Sequence, residues 1–415
     1  MGKKRPRLQA QIDLDEVIFE GDRRLREALL TEAAFRQAMK GARARRRVGS
    51  ARRDLLVSSL RLDAKIAPEV IRACRRAQET LALDTEIEAY CVAEPRINAF
   101  IAPPDGGPVL LGFSSGALEG LDEDEMAFVI GHELGHALFD HFALTPSMIF
   151  DLHEEVPPAQ MARLYAWMRY AELSADRVGL LCCQHVNVAV RAFFKLTSGL
   201  CDARFIENAT HAAAQLSALS ADQMDSSEED WFSTHPYGPL RIKAIDLFAT
   251  SARYHSLVGR VGGSLDDAEV DRQIAAIMRL MDPTFLWRDA EYAHEVQLFV
   301  ALGGAQVALA DGSVEDSELE VLSRIAGHGL LDGGADALEG EDGGNERLAE
   351  LGKFLAMRLP IGRRRRIVED LASVALADRH LHQAELRSLR RSAKLLKVEP
   401  SFVAEAVARV QTALD

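Results

Sequence analysis

Nowhere in the 415 residues does an apolar run approach the roughly 18 that a membrane-spanning helix needs, so no membrane span is expected. Cysteine is scarce. The five thiols, an odd number, are Cys74, Cys91, Cys182, Cys183 and Cys201, with no framework spacing and no CxxC. A disulfide scaffold is excluded, and a reduced, cytoplasmic setting is expected. A secretory signal is also missing: Lys3 to Arg7 lead into Leu-Gln-Ala-Gln-Ile-Asp, not an apolar stretch. Positive charge is in deficit, with a net charge of −14, and much of it lies near the start (Lys3, Lys4, Arg5, Arg7, Arg43, Arg45, Arg46, Arg47, Arg52, Arg53). No aromatic residue is interleaved among these arginines to stack on bases, so a nucleic-acid partner is not indicated. The stretch reads as a solvated helical face, with an anionic-membrane or nucleic-acid patch as the sharper alternative.

What is present allows a large core. Hydrophobic residues make up 48% of the chain, and its length suits two or three domains. Residues 1–60 read as a basic helical N-terminal region. Residues 66–82 carry Ile66, Val70, Ile71, Cys74 and Ala77 at amphipathic helical spacing. Strand-like runs follow at 86–92, 96–102 and 109–113, the last two joined by a Pro-Pro-Asp-Gly-Gly turn, so a small antiparallel sheet is expected. Asp122 and Glu125 then form a capping box for a helix running to about His141. Another long helix opens near Pro157-Pro158 and reaches about Leu181, with more helix to about Leu219. An acidic loop at 225–230 precedes a further helix opening at Ser233-Thr234-His235-Pro236.

The helix starting at Asp122 carries His132-Glu133-Leu134-Gly135-His136, an HExxH pattern. Residues four apart share a helix face, so both imidazoles can reach one Zn²⁺ while Glu133 reaches its water. A hydrolytic zinc site needs three protein ligands and one open position. Glu172 is the best candidate for the third. Asp176, one turn further on, can hold a ligand histidine in its tautomer. Asp140 and His141 are rival ligands, although on a continuing helix His141 would point about 140° away from His136. Glu133 serves as general base and His235 is a candidate transition-state donor; a surface histidine is the plainer reading of the latter. Gly131 and Gly135, poor helix formers, suggest that backbone or substrate comes close.

HELGH, then Glu172-Leu173-Ser174-Ala175-Asp176, then Thr234-His235-Pro236 with Arg241-Ile242 beyond, together resemble the HtpX/CAAX-prenyl-protease type of zinc metallopeptidase, a gluzincin. Ile97-Asn98-Ala99-Phe100 is similar to that family's strand before the active helix, and the resemblance covers roughly residues 65–255. It implies His132, His136 and Glu172 as ligands, Glu133 as base, Asp176 behind a ligand, and Asn98 on the substrate-side edge strand. It also implies that His235 acts as donor or as an occasional fourth ligand that holds the enzyme latent. Membrane-bound members carry transmembrane helices and secreted ones a signal peptide. Neither is seen here, which argues against roles in membrane-protein quality control or prenyl-protein processing.

Beyond residue 290 the sequence echoes itself. Ala308 to Leu319 is repeated by Ala375 to Leu386, 67 residues on, each copy with an Asp (Asp311, Asp378) seven residues before a Glu (Glu318, Glu385). A Gly- and acid-rich loop, Leu331 to Asn345, is expected between them. The first copy's Ala-Asp-Gly resembles the TerB-like domain of tellurite-resistance proteins; the second departs from it at Arg379. The resemblance implies an acidic interaction or metal-associated module, while capping and packing of a helix start explain Asp311 and Glu318 equally well. The expected fold is therefore α+β, mostly α: a gluzincin core at 61–260, a helical connector at 261–289 and a duplicated all-α domain at 290–415. The expected activity is that of a cytoplasmic zinc endopeptidase with one Zn²⁺ per chain, acting on a protein or peptide. A regulatory protein or metal at the C-terminal domain would control it. The alternative is a latent or non-catalytic zinc-containing stress-response binding protein.

Overall fold

Strand β4 (Val109–Ser114) lies between β2 (Ile87–Val92) and β3 (Ala99–Ile101), although β3 precedes it in the chain. In the computed structural model the described residues are 13–45, 50–103, 106–144, 158–206, 235–236, 238–278, 281–282, 292–310, 312, 317–318, 321–322, 341–359, 361–378 and 380–414. The sheet order is β1-β2-β4-β3, with β1 spanning Leu60–Leu62. β1 pairs antiparallel to β2 and β3 antiparallel to β4, but β2 and β4 run parallel. The small sheet is thus mixed, not purely antiparallel. The hairpin reverses β3 into β4 as expected, and β4 then inserts alongside β2 in the same direction. That insertion leaves β3 as an edge. β4 is buried along its whole length, and its run Val-Leu-Leu-Gly-Phe-Ser suits a central strand.

The molecule divides into two compact units. The first unit takes the described residues up to 144, then 167–206 and 235–275. It opens with α1 (Glu20–Thr31), α2 (Ala33–Arg45) and α3 (Ser50–Ser58). α4 (Pro68–Leu81) follows, with Val70, Ala73, Cys74, Ala77 and Leu81 turned inward. α5 (Ser115–Gly120) leads to α6 (Glu123–Leu138). At its start Asp122 Oδ1 accepts from Glu125 N–H at 2.8 Å and Glu125 Oε2 accepts from Asp122 N–H at 3.0 Å. α7 (Pro158–Cys183) is buried at every residue from Ala171 to Cys183. The further helix expected here is present in two pieces among the described residues: α8 (Val186–Ser198), followed by Gly199 in the left-handed region at φ 71°, and the single turn α9 (Ala203–Ile206); residues 207–219 lie outside the described residues. α10 starts at Gly238, after His235-Pro236, and runs to Ala249. α11 (Ala252–Leu257) and α12 (Asp267–Met278) complete this part.

Of the basic N-terminal residues, Arg52 is partly exposed and paired: it makes two 2.8 Å bonds to the buried Glu88. The side chains of Arg43, Arg45, Arg46 and Arg47 lie outside the described residues, as do the acidic stretch 225–230, Ser233 and Thr234.

The second unit is helical among its described residues from Ala276 on. α13 (Ala293–Ala308), α14 (Glu341–Arg358), α15 (Ile361–Ala375), α16 (Gln383–Leu395) and α17 (Pro400–Leu414) enclose Phe299, Leu355, Leu371, Leu389 and Val403. The echo is structural: α13 ends at Ala308 and α15 at Ala375, the equivalent residues of the two copies. Glu318 and Glu385 sit in the helical segments that follow. Of the loop expected from Leu331 to Asn345, residues 341–345 are helical, since α14 begins at Glu341, and residues 331–340 lie outside the described residues. Asp311 lies outside the described residues.

Candidate metal centre

α6 and α7 approach at their glycines. A Cβ on Gly135 would sit 2.8 Å from Ala175 Cα, and one on Gly131 would sit 2.9 Å from Gly179 Cα. The poor helix formers therefore buy close contact between two helices, which brings Glu172 on α7 over the two histidines of α6. His136 Nε2 is 3.3 Å from Glu172 Oε1 and 3.2 Å from His132 Nε2; His132 Nε2 is 3.5 Å from Glu172 Oε2. One ligand atom from each of the three residues lies within 4.8 Å of the others.

The outer nitrogens of both rings are engaged elsewhere. His132 Nδ1 is 2.9 Å from Asp176 Oδ1, and His136 Nδ1 is 2.9 Å from His141 Nδ1. Both Nε2 atoms are left facing the Glu172 carboxylate. Two imidazoles and a buried carboxylate around one point fit a divalent cation such as Zn²⁺.

Arg241 on α10 closes the charge balance. It donates to both oxygens of Asp176 and brings Nη1 to 3.0 Å from Glu172 Oε2, with its guanidinium 4.5 Å from the centre of the Phe193 ring. Burial alone would raise the Glu172 and Asp176 carboxyls, but Arg241 and the imidazoles outweigh it and hold both down, Glu172 well below the usual range. Burial lowers His132 against Asp176 and Glu172, whereas at His136 the attraction of Glu172 and Glu133 overcomes burial and the ring goes up. Glu133 is different: burial pushes it up to about 7, even though it accepts a hydrogen bond from the Ile101 backbone on β3.

A cavity of about 470 Å³ opens on this centre, lined by Asn98, Ala99, His132, Glu133, Glu172, His235 and Arg241 among others. Asn98 immediately precedes β3. His235 is largely exposed, with Nε2 3.5 Å from Glu172 Oε1. All seven sequence-predicted site residues thus gather in one place. Of the rival ligands, Asp140 points to Arg26, at 3.5 Å, and neither it nor His141 is among the three converging groups. The helical extrapolation for His141 does not hold, because α6 stops at Leu138 and Asp140 turns into the left-handed region at φ 56°. His141 swings back behind His136, within 3.1 Å of the buried Asp22. Burial lowers His141 despite Asp22, and His141 with Ser174 and Trp167 lowers Asp22 against its own burial. Arg241 was visible in the sequence as part of a motif, but without a role. Asp22 had no signal, since nothing local marks a residue that meets its partner 119 positions later.

Two imidazoles from one helix, a carboxylate from the next and a glutamate beside an edge strand define a metallopeptidase-type domain. Residues 63–153 and 149–248 match Peptidase family M48, and residues 347–408 match Tellurite resistance protein TerB. Plastoglobule-localized metallopeptidase 48, chloroplastic, of Arabidopsis thaliana is 32% identical over 191 residues, 42% of this chain and 55% of that protein. The chain therefore spans only about half the length of this relative. No solved structure gives a significant match. No helix among the described residues is long and apolar enough to cross a membrane.

Proposed function

We propose that this protein is a zinc-dependent endopeptidase, with Zn²⁺ held by His132, His136 and Glu172, one ion per chain. The observation that carries this reading is the convergence of those three ligand atoms, each within 4.8 Å of the others. When bound, zinc supplies Lewis acidity, which acidifies water and polarises a scissile carbonyl. Glu133 accepts the proton of the attacking water and delivers it to the leaving amine; a carboxyl pushed up to about 7 suits both transfers near neutral pH. Asp176 holds His132 in the tautomer that presents Nε2. His235 donates to the developing oxyanion. The edge strand β3, with Asn98 at its start, offers a backbone on which an extended peptide can add as a further strand. The TerB domain regulates the activity, and the cytoplasm is the proposed location.

A second reading rests on His235. With Nε2 at 3.5 Å from Glu172, it can fill a fourth metal position and hold the protein latent or non-catalytic. Casein cleavage with and without chelator, beside Glu133→Gln and metal analysis, separates the readings. Catalysis predicts about one zinc per chain, chelator-sensitive cleavage and an inactive variant. Latency predicts zinc without cleavage. A Glu133→Gln protein that cuts as fast as wild type overturns the assignment of the base.

A further inference from the structure

Asp22, on α1, is fully buried yet lies outside the matched stretch 63–248, and the chemistry above does not use it. Three groups surround its carboxylate: Trp167 Nε1 donates to Oδ1 at 2.8 Å, Ser174 Oγ donates to Oδ2 at 2.6 Å, and His141 Nε2 is 3.1 Å from Oδ2. The far nitrogen of His141 lies 2.9 Å from His136 Nδ1.

The direction of this chain follows from chemistry. An imidazole that presents Nε2 to a metal carries its proton on Nδ1. His136 therefore donates to His141 Nδ1, which must accept. A neutral His141 then carries its proton on Nε2 and donates to Asp22. Only an acceptor-only group at the far end makes every link consistent. The segment bearing it is firmly seated: Phe19 N–H bonds Ser174 Oγ at 3.1 Å, and Arg177 lies over the Phe19 and Phe248 rings while donating to the Val17 and Ile18 carbonyls.

We propose that Asp22 and His141 are positioning residues that fix the tautomer and orientation of His136. The N-terminal segment is thereby an integral part of the metal centre. This rests on the zinc reading above.

The test is Asp22→Asn in the full chain. Trp167 Nε1 can only donate, so the amide must turn its oxygen there and its N–H₂ towards His141. His141 is then driven to carry its proton on Nδ1, against the proton of His136. Zinc affinity by chelator competition should fall about 10- to 100-fold, and the visible spectrum of the cobalt-substituted protein should change. Ser174→Ala keeps the carboxylate and should weaken binding far less. ¹⁵N spectra of zinc-loaded wild type should show the proton of His136 on Nδ1 and that of His141 on Nε2, a readout that stands even if Asp22→Asn does not fold. A zinc-binding wild type matched within about twofold by a folded Asp22→Asn overturns the relay alone, as does finding the His141 proton on Nδ1. A wild type that holds no zinc overturns both the relay and the function proposed above.

Discussion

Arg241 grips Asp176 through two donors, Nε at 2.8 Å and Nη2 at 2.6 Å, and the same guanidinium also faces Glu172. One planar cation thus offsets two buried carboxylates, a task that suits the fork of arginine better than the point charge of lysine. Removing one partner of a buried ion pair leaves a charge uncompensated, at a cost of about 3–5 kcal/mol. Arg241→Met should lower the stability of chelator-treated protein by about that much in denaturant unfolding, and Arg241→Lys should recover only part of it. Unchanged unfolding midpoints in Arg241→Met would mean that the carboxylates do not depend on this cation.

Gly135→Ala sets two effects against each other. Alanine favours a helix over glycine by about 1 kcal/mol. The new methyl, however, would meet the α7 backbone at Ala175 Cα, 2.8 Å away. Backbone has little room to yield, and overpacking of this kind costs about 1–3 kcal/mol. The clash should win, lowering the thermal midpoint and displacing Glu172 enough to weaken zinc binding measurably. A stabilised variant with wild-type zinc affinity would show that the helices are free to part.

Much of this centre was legible in the sequence because it obeys local rules. The capping box at Asp122 and Glu125 starts α6, and spacings of four put His132 with His136 and Glu172 with Asp176 on common faces. What stayed hidden depends on where a local rule stops. His141 was misplaced because the helix ends three residues before it, and a single left-handed residue redirects the chain. The parallel pairing of β2 with β4 depends on where the hairpin inserts, which strand patterns do not encode. Gly131 and Gly135 announced a close approach, and the fold identified the partner as α7.

In the second unit, Glu318 and Glu385, equivalent residues of the two sequence copies, are buried and hydrogen-bonded to each other. Burial and this neighbour push Glu385 from its ordinary 4.5 up to about 7. Between those values the folded protein holds a proton that the unfolded chain has released. Its stability should therefore fall as pH rises from about 4.5 to about 7 and level off above. Hydrogen exchange of residues 383–410, corrected for intrinsic rates, should show protection declining across that window, and Glu385→Gln should flatten the slope. An equal slope in the variant would place the titration elsewhere.

The edge of β3 makes the peptide-binding reading testable at one backbone atom. Ser114 N–H bonds the Asn98 carbonyl at 2.9 Å and Ala102 N–H bonds the Leu110 carbonyl at 3.0 Å. In an antiparallel ladder the hydrogen-bonded pairs alternate, so Asn98, Phe100 and Ala102 face β4 while Ala99 and Ile101 direct their amides outward. Glu133 takes the Ile101 amide, which leaves the Ala99 amide for a docking strand. Proline is tolerated on an edge strand where the lost N–H points away from the sheet. Ala99→Pro should therefore fold and bind zinc like wild type, yet lose about tenfold in kcat/KM on a protein substrate, the equivalent of one hydrogen bond of about 1.4 kcal/mol. The loss should fall mainly on KM, because a strand bonded far from the scissile carbonyl holds the ground state and transition state alike. Undiminished kcat/KM would mean that the substrate does not extend this sheet.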